Sequence, residues 1–241
     1  MFIRGTKDIN LYLKKTSLLE YLDETNLNTK SKWYIRKIIK KIDNKKLLIS
    51  FKHWILWRWV NNNFMVTEKF SAQLKKNIKK LNIVINSKEE AFINQIDELI
   101  FNSWRPLKEV PVKFKLDKNE KINLVQSSVD VHLIETKNTK EKLKMIGKFD
   151  AFFSNKNLFL TDSNQIVKKI INYEDVIEII QKSYGLIMQV NKQKILLRGR
   201  NRMLTYVLLQ RIVPKLNLDI NNIKNLYSYF EIWNTAYKWF N

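Results

Sequence analysis

The chain has 241 residues, 45% of them hydrophobic and 12% aromatic, enough apolar matter for a folded core and too much for wholesale disorder. It has no Cys, two His (His53 and His132) and four Gly, at 5, 147, 185 and 199; this excludes disulfides and thiolate chemistry, argues against a His-rich metal site, and leaves no clustered glycines for a Walker loop or a dinucleotide-binding fingerprint. The 44 Lys and Arg outweigh 23 Asp and Glu, for a net charge of +21, which attracts polyanions, although only eight of the basic residues are Arg and the Lys, Asn and Ile excess follows A/T-rich codons, so the field carries little geometric specificity.

The N-terminus, MFIRGTKDINLYLKK, has no long apolar run and no small-residue cleavage site, so no signal peptide is expected. The first half has helical periodicity. Asp8 caps a predicted helix through Asp23, with Ile9, Leu11, Tyr12, Leu18, Leu19 and Leu22 apolar. Thr29 or Ser31 caps a second, with Trp33, Tyr34, Ile35, Ile38, Ile39 and Ile42 inside and Arg36, Lys37, Lys40 and Lys41 outside. The third is the tryptophan-rich run Leu47 to Val60, which Lys52, His53 and Arg58 interrupt; a spanning helix needs roughly 20 mostly apolar residues, so no transmembrane helix is expected and the cytoplasm is the expected location, with the inner membrane face as a variant of it. Thr67 begins a fourth, with Phe70, Leu74, Ile78 and Leu81 on one face and Lys75, Lys76, Lys79 and Lys80 opposite. Ser87-Lys88-Glu89-Glu90 fits a capping box for the fifth, whose apolar stripe runs from Phe92 to Phe101.

The pattern changes at Trp104-Arg105-Pro106. Pro106 and Pro111 bracket a short connector. Beyond it come about seven short strands: Ile122 to Ile134, Met145 to Phe153, Leu158 to Leu160, Ile166 to Ile171, Val176 to Ile180, Leu186 to Val190, and Ile195 to Leu197, separated by turn residues. Asn201 then caps an amphipathic helix to about residue 216. The expected organisation is α+β: a basic helical domain over 1–105, an antiparallel strand domain closed by a helix over 112–216, and an aromatic C-terminal helix or docking tail over 217–241. The first 105 residues hold 21 Lys and Arg against 10 Asp and Glu, so the charge is shared by both halves.

Within the second half, Gly147-Lys148-Phe149-Asp150-Ala151-Phe152-Phe153-Ser154-Asn155-Lys156-Asn157-Leu158-Phe159-Leu160 resembles the hairpin of GRAM and bacterial PH-like domains. Ile170-Ile171-Asn172-Tyr173-Glu174-Asp175-Val176-Ile177-Glu178-Ile179 resembles the segment that follows it there, and Gly185 to Val190 with Lys194 to Leu197 resembles the last strand pair. The resemblance covers about residues 112–216; the helical half resembles no family. It implies a PH-like antiparallel barrel capped by a C-terminal helix, and binding of lipid head groups, peptides or protein partners rather than catalysis.

Four sets of residues stand out. In lipid-binding PH domains the loop between the first two strands grips phosphates; here that loop is Glu135 to Lys144, and Lys137, Lys140, Lys142, Lys144 and Lys148 could serve, with an ordinary solvated hairpin as the alternative. Arg198, Arg200 and Arg202 form the densest arginine run, beside a helix N-terminus that favours an anion; they either bind an anion or acidic partner or pair with internal carboxylates. Trp54, Trp57 and Trp59 suit a membrane interface or partner groove, or else a core helix, and His53 beside them is read as structural. The tail aromatics Trp233, Trp239 and Phe240, with Tyr227, Tyr229, Phe230 and Tyr237, either dock another subunit or pack back on the helical half. The acidic pairs Asp97-Glu98 and Glu174-Asp175 point apart on a helix or strand. No catalytic residue, metal or cofactor is expected.

The reading these features support is a non-enzymatic adaptor or scaffold subunit of a larger intracellular assembly. Its expected partners are protein subunits and anionic lipid head groups, with no small-molecule substrate. An RNA- or ribosome-associated basic protein is the competing reading.

Overall fold

The structure is a computed structural model and describes residues 3, 5–15, 29–137 and 140–230, with the side chains of 6, 29–32, 136, 137 and 140 outside that description. The chain divides into two compact units, one of residues 1–98 with 225–241 and one of residues 99–224.

The first unit is helical: α1 Thr6–Lys15, α2 Thr29–Ile39, α3 Lys45–Asn63, α4 Glu68–Leu81, and the first part of α5 Ser87–Trp104. Asp8 does not open α1. It lies inside the first turn, where its carboxylate accepts from the Gly5 N–H at 3.3 Å. The expected continuation to Asp23 lies outside the described residues. Asn44 caps α3, accepting from the Lys46 and Leu47 N–H groups at 2.9 and 3.1 Å. Phe51, Trp54, Ile55, Leu56, Trp57, Trp59 and Val60 are all buried on this helix. They circle it rather than forming a stripe, so α3 is the central helix of the unit. Thr67 caps α4 as expected, through the Phe70 N–H at 3.2 Å. The helix ends at Asn82 in the left-handed region, φ 48°, with its N–H turned back to the Ile78 and Lys79 carbonyls, a turn that Asn tolerates better than most residues.

The expected capping box is shifted by one residue. Asn86, not Ser87, accepts from the Lys88 and Glu89 N–H groups at 3.0 Å each. Glu89, not Glu90, answers by accepting from the Asn86 N–H at 2.8 Å. Asn is as good a cap as Ser, and the reciprocal partner must sit three residues on.

Aromatic rings fill the core. Trp59 stacks on Phe70 with centroids 5.1 Å apart and planes 7° apart. Phe230 meets Phe64 and Phe92 at 5.2 and 5.3 Å, and Tyr227 meets Trp57 edge-on at 6.1 Å. Leu226 and Phe230 are buried. Residues 225–230 of the expected tail therefore pack into the helical core, through a 3₁₀ turn at Leu226–Tyr229 rather than an α-helix, whereas 217–224 belong to the sheet unit, where the Ile220 N–H donates to the Gln210 side chain at 3.1 Å.

The second unit holds one seven-stranded antiparallel sheet: β1 Ile122–Lys137, β2 Lys140–Ser154, β3 Asn157–Thr161, β4 Val167–Asn172, β5 Val176–Lys182, β6 Gly185–Val190 and β7 Gln193–Arg198, in the order β4-β3-β2-β1-β7-β6-β5. The expected barrel does not close, because β4 and β5 are the two edges and do not pair with each other. The short helical turn Tyr173–Asp175 carries the chain from one edge to the other.

The spine is the long β1–β2 ribbon. β3 pairs with Asp150 to Phe153 of β2, whereas β7 pairs with Asp130 to Ile134 of β1. The two meanders thus hang on opposite edges and opposite ends of the ribbon. Bulges interrupt the β1 register between Gln126 and Val129 and between Val131 and His132, and such extra residues bend and twist a strand locally.

The connector after Pro106 is more than a link. Val110, Val112, Phe114 and Leu116 pack on Ile122, Phe152 and Phe159, with the Phe114 ring 4.9 Å from Phe159 and 5.3 Å from Phe152. It covers apolar sheet surface that would otherwise face water. The closing helix, α6 Arg202–Ile212, is shorter than expected, and Pro214 starts a separate 3₁₀ turn after it. Asn201 makes no side-chain cap bond. Gln126 from the β1 bulge reaches the start of the helix instead, donating to the Thr205 hydroxyl and, at 3.4 Å, to the Asn201 carbonyl.

Candidate functional site

The turn Ser154-Asn155-Lys156-Asn157 is built by its own side chains. The Ser154 hydroxyl oxygen accepts from the Lys156 and Asn157 N–H groups at 3.0 and 2.7 Å. Asn155 accepts from the Lys121 N–H at 2.9 Å and donates to the Asn119 carbonyl at 3.1 Å. Beneath the turn lies Glu120, 6% exposed. Its carboxylate takes the Ser154 hydroxyl, the Asn157 amide at 2.9 Å and the Asp117 N–H at 3.2 Å. A buried charge needs such a set of donors. The Tyr173 N–H donates to the Lys156 carbonyl at 3.0 Å, so the two segments that carry the PH-like resemblance meet here. A cleft of about 400 Å³ runs along them, past Asn172, Glu174 and the Val213-Pro214-Lys215 turn. The Tyr173 ring is 2% exposed, and burial, aided by the Glu120 charge, pushes its phenol far above the ordinary range. Burial therefore favours the neutral phenol.

The arginine run is divided. Arg198 lies over the Tyr184 ring, 5.8 Å from its centroid. Arg200 lines a cleft of about 310 Å³ with Gln126, Ser127, Ser128 and Asn201. The Nε of Arg202 is buried without a hydrogen-bond partner among the described residues. At Gly199 between Arg198 and Arg200, a Cβ would displace the end of the Gln126 side chain. None of the ion pairs formed among the described residues uses Arg198, Arg200 or Arg202.

The segment read as a loop from Glu135 to Lys144 is mostly strand. β1 runs to Lys137, which pairs with Lys140 at the start of β2, because Thr, Leu, Ile and Met alternating with charges suit an extended ribbon. Lys140, Lys142, Lys144 and Lys148 thus stand on β2 and Lys137 ends β1, rather than all lying on a loop. From Glu141 to Ile146 every residue is exposed, including Leu143 at 41%, Met145 at 57% and Ile146 at 44%. Lys142, Lys144 and Lys148 alternate with them. Lys144 lies 3.8 Å from Glu135 across the ribbon, and Glu141 is taken by Lys194 at 3.4 Å. Among the described residues no strand pairs with the outer edge of this half of β2. The side chains of Lys137 and Lys140 lie outside the described residues.

Trp54, Trp57 and Trp59 are 1%, 2% and 2% exposed, so the expected membrane or partner contact through them is corrected to the core alternative. His53 Nδ1 lies 2.9 Å from Glu89 Oε1, a structural placement. Trp233, Trp239 and Phe240 lie outside the described residues. Asp97 is engaged by the Ser71 hydroxyl at 2.5 Å and Lys75 at 2.6 Å.

Two aromatics expected on apolar faces are exposed, Phe101 at the end of the α5 stripe at 46% and Trp33. Trp33 on α2 is 50% exposed, whereas Ile35 and Ile38 are buried. Helical spacing could have shown this. Ile35, Ile38 and Ile42 mark one stripe, and a residue two positions before Ile35 falls on the far side of a 3.6-residue turn.

Among the described residues no helix is long and apolar enough to cross a membrane. No protein-family model and no curated protein matches the sequence.

Proposed function

We propose that the chain is a non-enzymatic adaptor or scaffold subunit of a larger intracellular assembly, in which a PH-like sheet unit binds a protein partner or an anionic membrane surface. The observation that carries this reading is the exposed half of β2. Leu143, Met145 and Ile146 stand in water between Lys142, Lys144 and Lys148. Strand alternation sets Leu143 and Met145 on one face and Lys142 and Lys144 on the other, so the ribbon offers an apolar face edged by cations, which suits a surface that is itself apolar and acidic. The arginines at 198, 200 and 202 add a second basic contact on the same unit. Two meanders on a shared ribbon followed by one helix support the PH-like assignment, as do the meeting segments at Ser154–Asn157 and Asn172–Glu174.

Affinity capture from the native cell and co-sedimentation with anionic vesicles test the reading. Changing Leu143, Met145 and Ile146 together to Ser lowers capture while the melting temperature stays within a few degrees, since these side chains are already exposed. Capture that survives both this variant and the change of Lys142, Lys144 and Lys148 to Gln overturns the role of the ribbon. Recovery of RNA alone, with neither a protein partner nor vesicles, overturns the function class.

A further inference from the structure

The helical unit carries a second basic surface, of a different make. On α2, Trp33, Arg36, Lys37 and Lys40 recur at a spacing of three and four residues, so they share one face. The Lys40 N–H still donates to the Arg36 carbonyl at 3.1 Å, which carries the helical path to Lys40. Arg36, Lys37 and Lys40 are exposed, and so is half of Trp33. Lys37 Nζ sits 3.5 Å over the Trp33 ring, and Tyr34 meets the ring edge-on at 4.9 Å. The opposite face, with Ile35, Ile38 and then Ile42, is buried.

Acids are scarce in this stretch of sequence. From residue 29 to residue 67 there are ten Lys and Arg and a single acid, Asp43. Among the described residues, no ion pair uses Arg36, Lys37, Lys40, Lys41, Lys45 or Lys46. The lysine face of α4 differs, for there Lys75 is paired with Asp97.

We propose that the Trp33–Lys40 face of α2, extended by Lys45 and Lys46 at the start of α3, binds single-stranded nucleic acid. Trp33 supplies a stacking surface for a base, and Arg36, Lys37 and Lys40 take the phosphates on either side. The mixing of ring and cations on one face selects this occupant. A helix that lies in a bilayer surface separates them, with aromatic and apolar residues on one face and cations on the other. Here the apolar face is already used in the core. Single strands are bound by cations that track the backbone beside aromatic rings that stack on bases. Duplexes offer phosphates but no free base face. Lys37, now over the ring, moves to a phosphate when a base takes its place. This site is separate from the β2 ribbon and does not depend on the role proposed for it.

Fluorescence anisotropy with short single-stranded RNA and DNA oligonucleotides, repeated across a salt series on the full chain, tests the proposal. Each phosphate neutralised on a single strand contributes about −0.7 to the slope of log affinity against log salt. Changing Arg36, Lys37 and Lys40 together to Gln reduces the magnitude of that slope by about 2. Trp33→Ala weakens binding about fivefold to a hundredfold at every salt concentration, with the slope unchanged. A duplex of the same length binds more weakly than the single strand. If Trp33→Ala leaves affinity unchanged, or the duplex binds as tightly, the contact is undirected charge attraction and the proposal fails. It fails equally if oligonucleotides do not bind and anionic vesicles do. Both variants alter exposed side chains, and a circular dichroism melt matching the parent protein excludes unfolding as the cause.

Discussion

The two units share the positive charge almost equally, but they settle it differently. In the sheet unit, four lysines meet a carboxylate: Lys144 with Glu135, Lys194 with Glu141, Lys121 with Glu109, and Lys168 with Asp162. In the helical unit, no ion pair among the described residues uses the cations of α2 and the start of α3, and a tryptophan stands among them. Exposed pairs of the first kind contribute little to stability, about 0–1 kcal/mol each. They do, however, lower the local field. A ribbon with its charges half balanced is left with apolar side chains as its strongest contact feature. A helix with its charges unbalanced is left with the field itself. The difference argues for two kinds of partner, one read by apolar contact and one by phosphate.

The largest effect expected from this contrast separates tryptophans by burial. Trp59 is stacked on Phe70 in the core of the helical unit. Trp59→Ala is expected to lower unfolding free energy by about 3–5 kcal/mol. Trp33→Ala, on the same unit, is expected to change it by no more than about 0.5 kcal/mol. Denaturant unfolding followed by circular dichroism reads both. A Trp33 variant as damaging as the Trp59 variant would mean that the α2 face is packed in solution and has no ring to offer.

That contrast also shows what the sequence makes legible. The helices were readable because isoleucine and leucine recur at 3.6-residue spacing and because Thr67 is an unambiguous cap. The strands were readable from alternation. The fate of the tryptophans was harder to read, because a large amphipathic ring suits both a core and an interface. The deciding signal lay in the neighbours: apolar residues circle α3, which forces it inside, while α2 has a stripe of isoleucine that leaves Trp33 opposite. The extension of β1 and β2 beyond Ile134 was missed for a similar reason. Lysine and glutamate in alternation look like a loop, and only cross-strand pairs such as Glu135 with Lys142 show that the pattern can be strand. Closure of a barrel depends on how far a sheet twists, which local pattern does not encode. The role of Glu120 was invisible because its donors come from residues up to 37 positions away.

A smaller effect compares one buried carboxylate in each unit. Glu89 and Glu120 are 4% and 6% exposed. Each accepts from the backbone N–H three residues before it, Asn86 or Asp117. Each also takes a distant partner, His53 for Glu89, and Ser154 and Asn157 for Glu120. Glu120 serves more donors, none of which has another partner of equal charge. Glu120→Ala is expected to cost about 2–3 kcal/mol, and Glu89→Ala about 1–2 kcal/mol. Thermal melts on both variants test the order. The reverse order would show that the helix cap, not the turn at Ser154–Asn157, is the more costly joint to break.

The smallest effect lies at the turn between β3 and β4 and depends on pH. Asp162 accepts from the Ile166 and Asn164 N–H groups at 2.9 and 3.0 Å, and its other oxygen lies 3.1 Å from Lys168. The Ile166 N–H is the main cause that holds its carboxyl below the usual aspartate range, against an opposing effect of burial, with Lys168 and the Asn164 N–H helping. A depressed folded value means that the folded state favours the carboxylate. The stability it adds is therefore full above the unfolded pKa and is lost as pH falls through the folded one. The same turn carries Gln165, whose side-chain oxygen accepts from the Lys113 N–H at 2.9 Å, so it also pins the connector that covers Phe152 and Phe159. Asp162→Asn keeps one acceptor oxygen but removes the charge. It is expected to flatten the acid-side fall in melting temperature while leaving neutral-pH stability almost unchanged, because Asp162 is at the surface and solvent screens it. Carboxyl-carbon NMR titration of the parent protein gives the direct reading, and a midpoint at or above the ordinary aspartate range would show that these hydrogen bonds do not hold the turn in solution. Added salt separates the contributions: it weakens the Lys168 share and leaves the share of the backbone N–H groups.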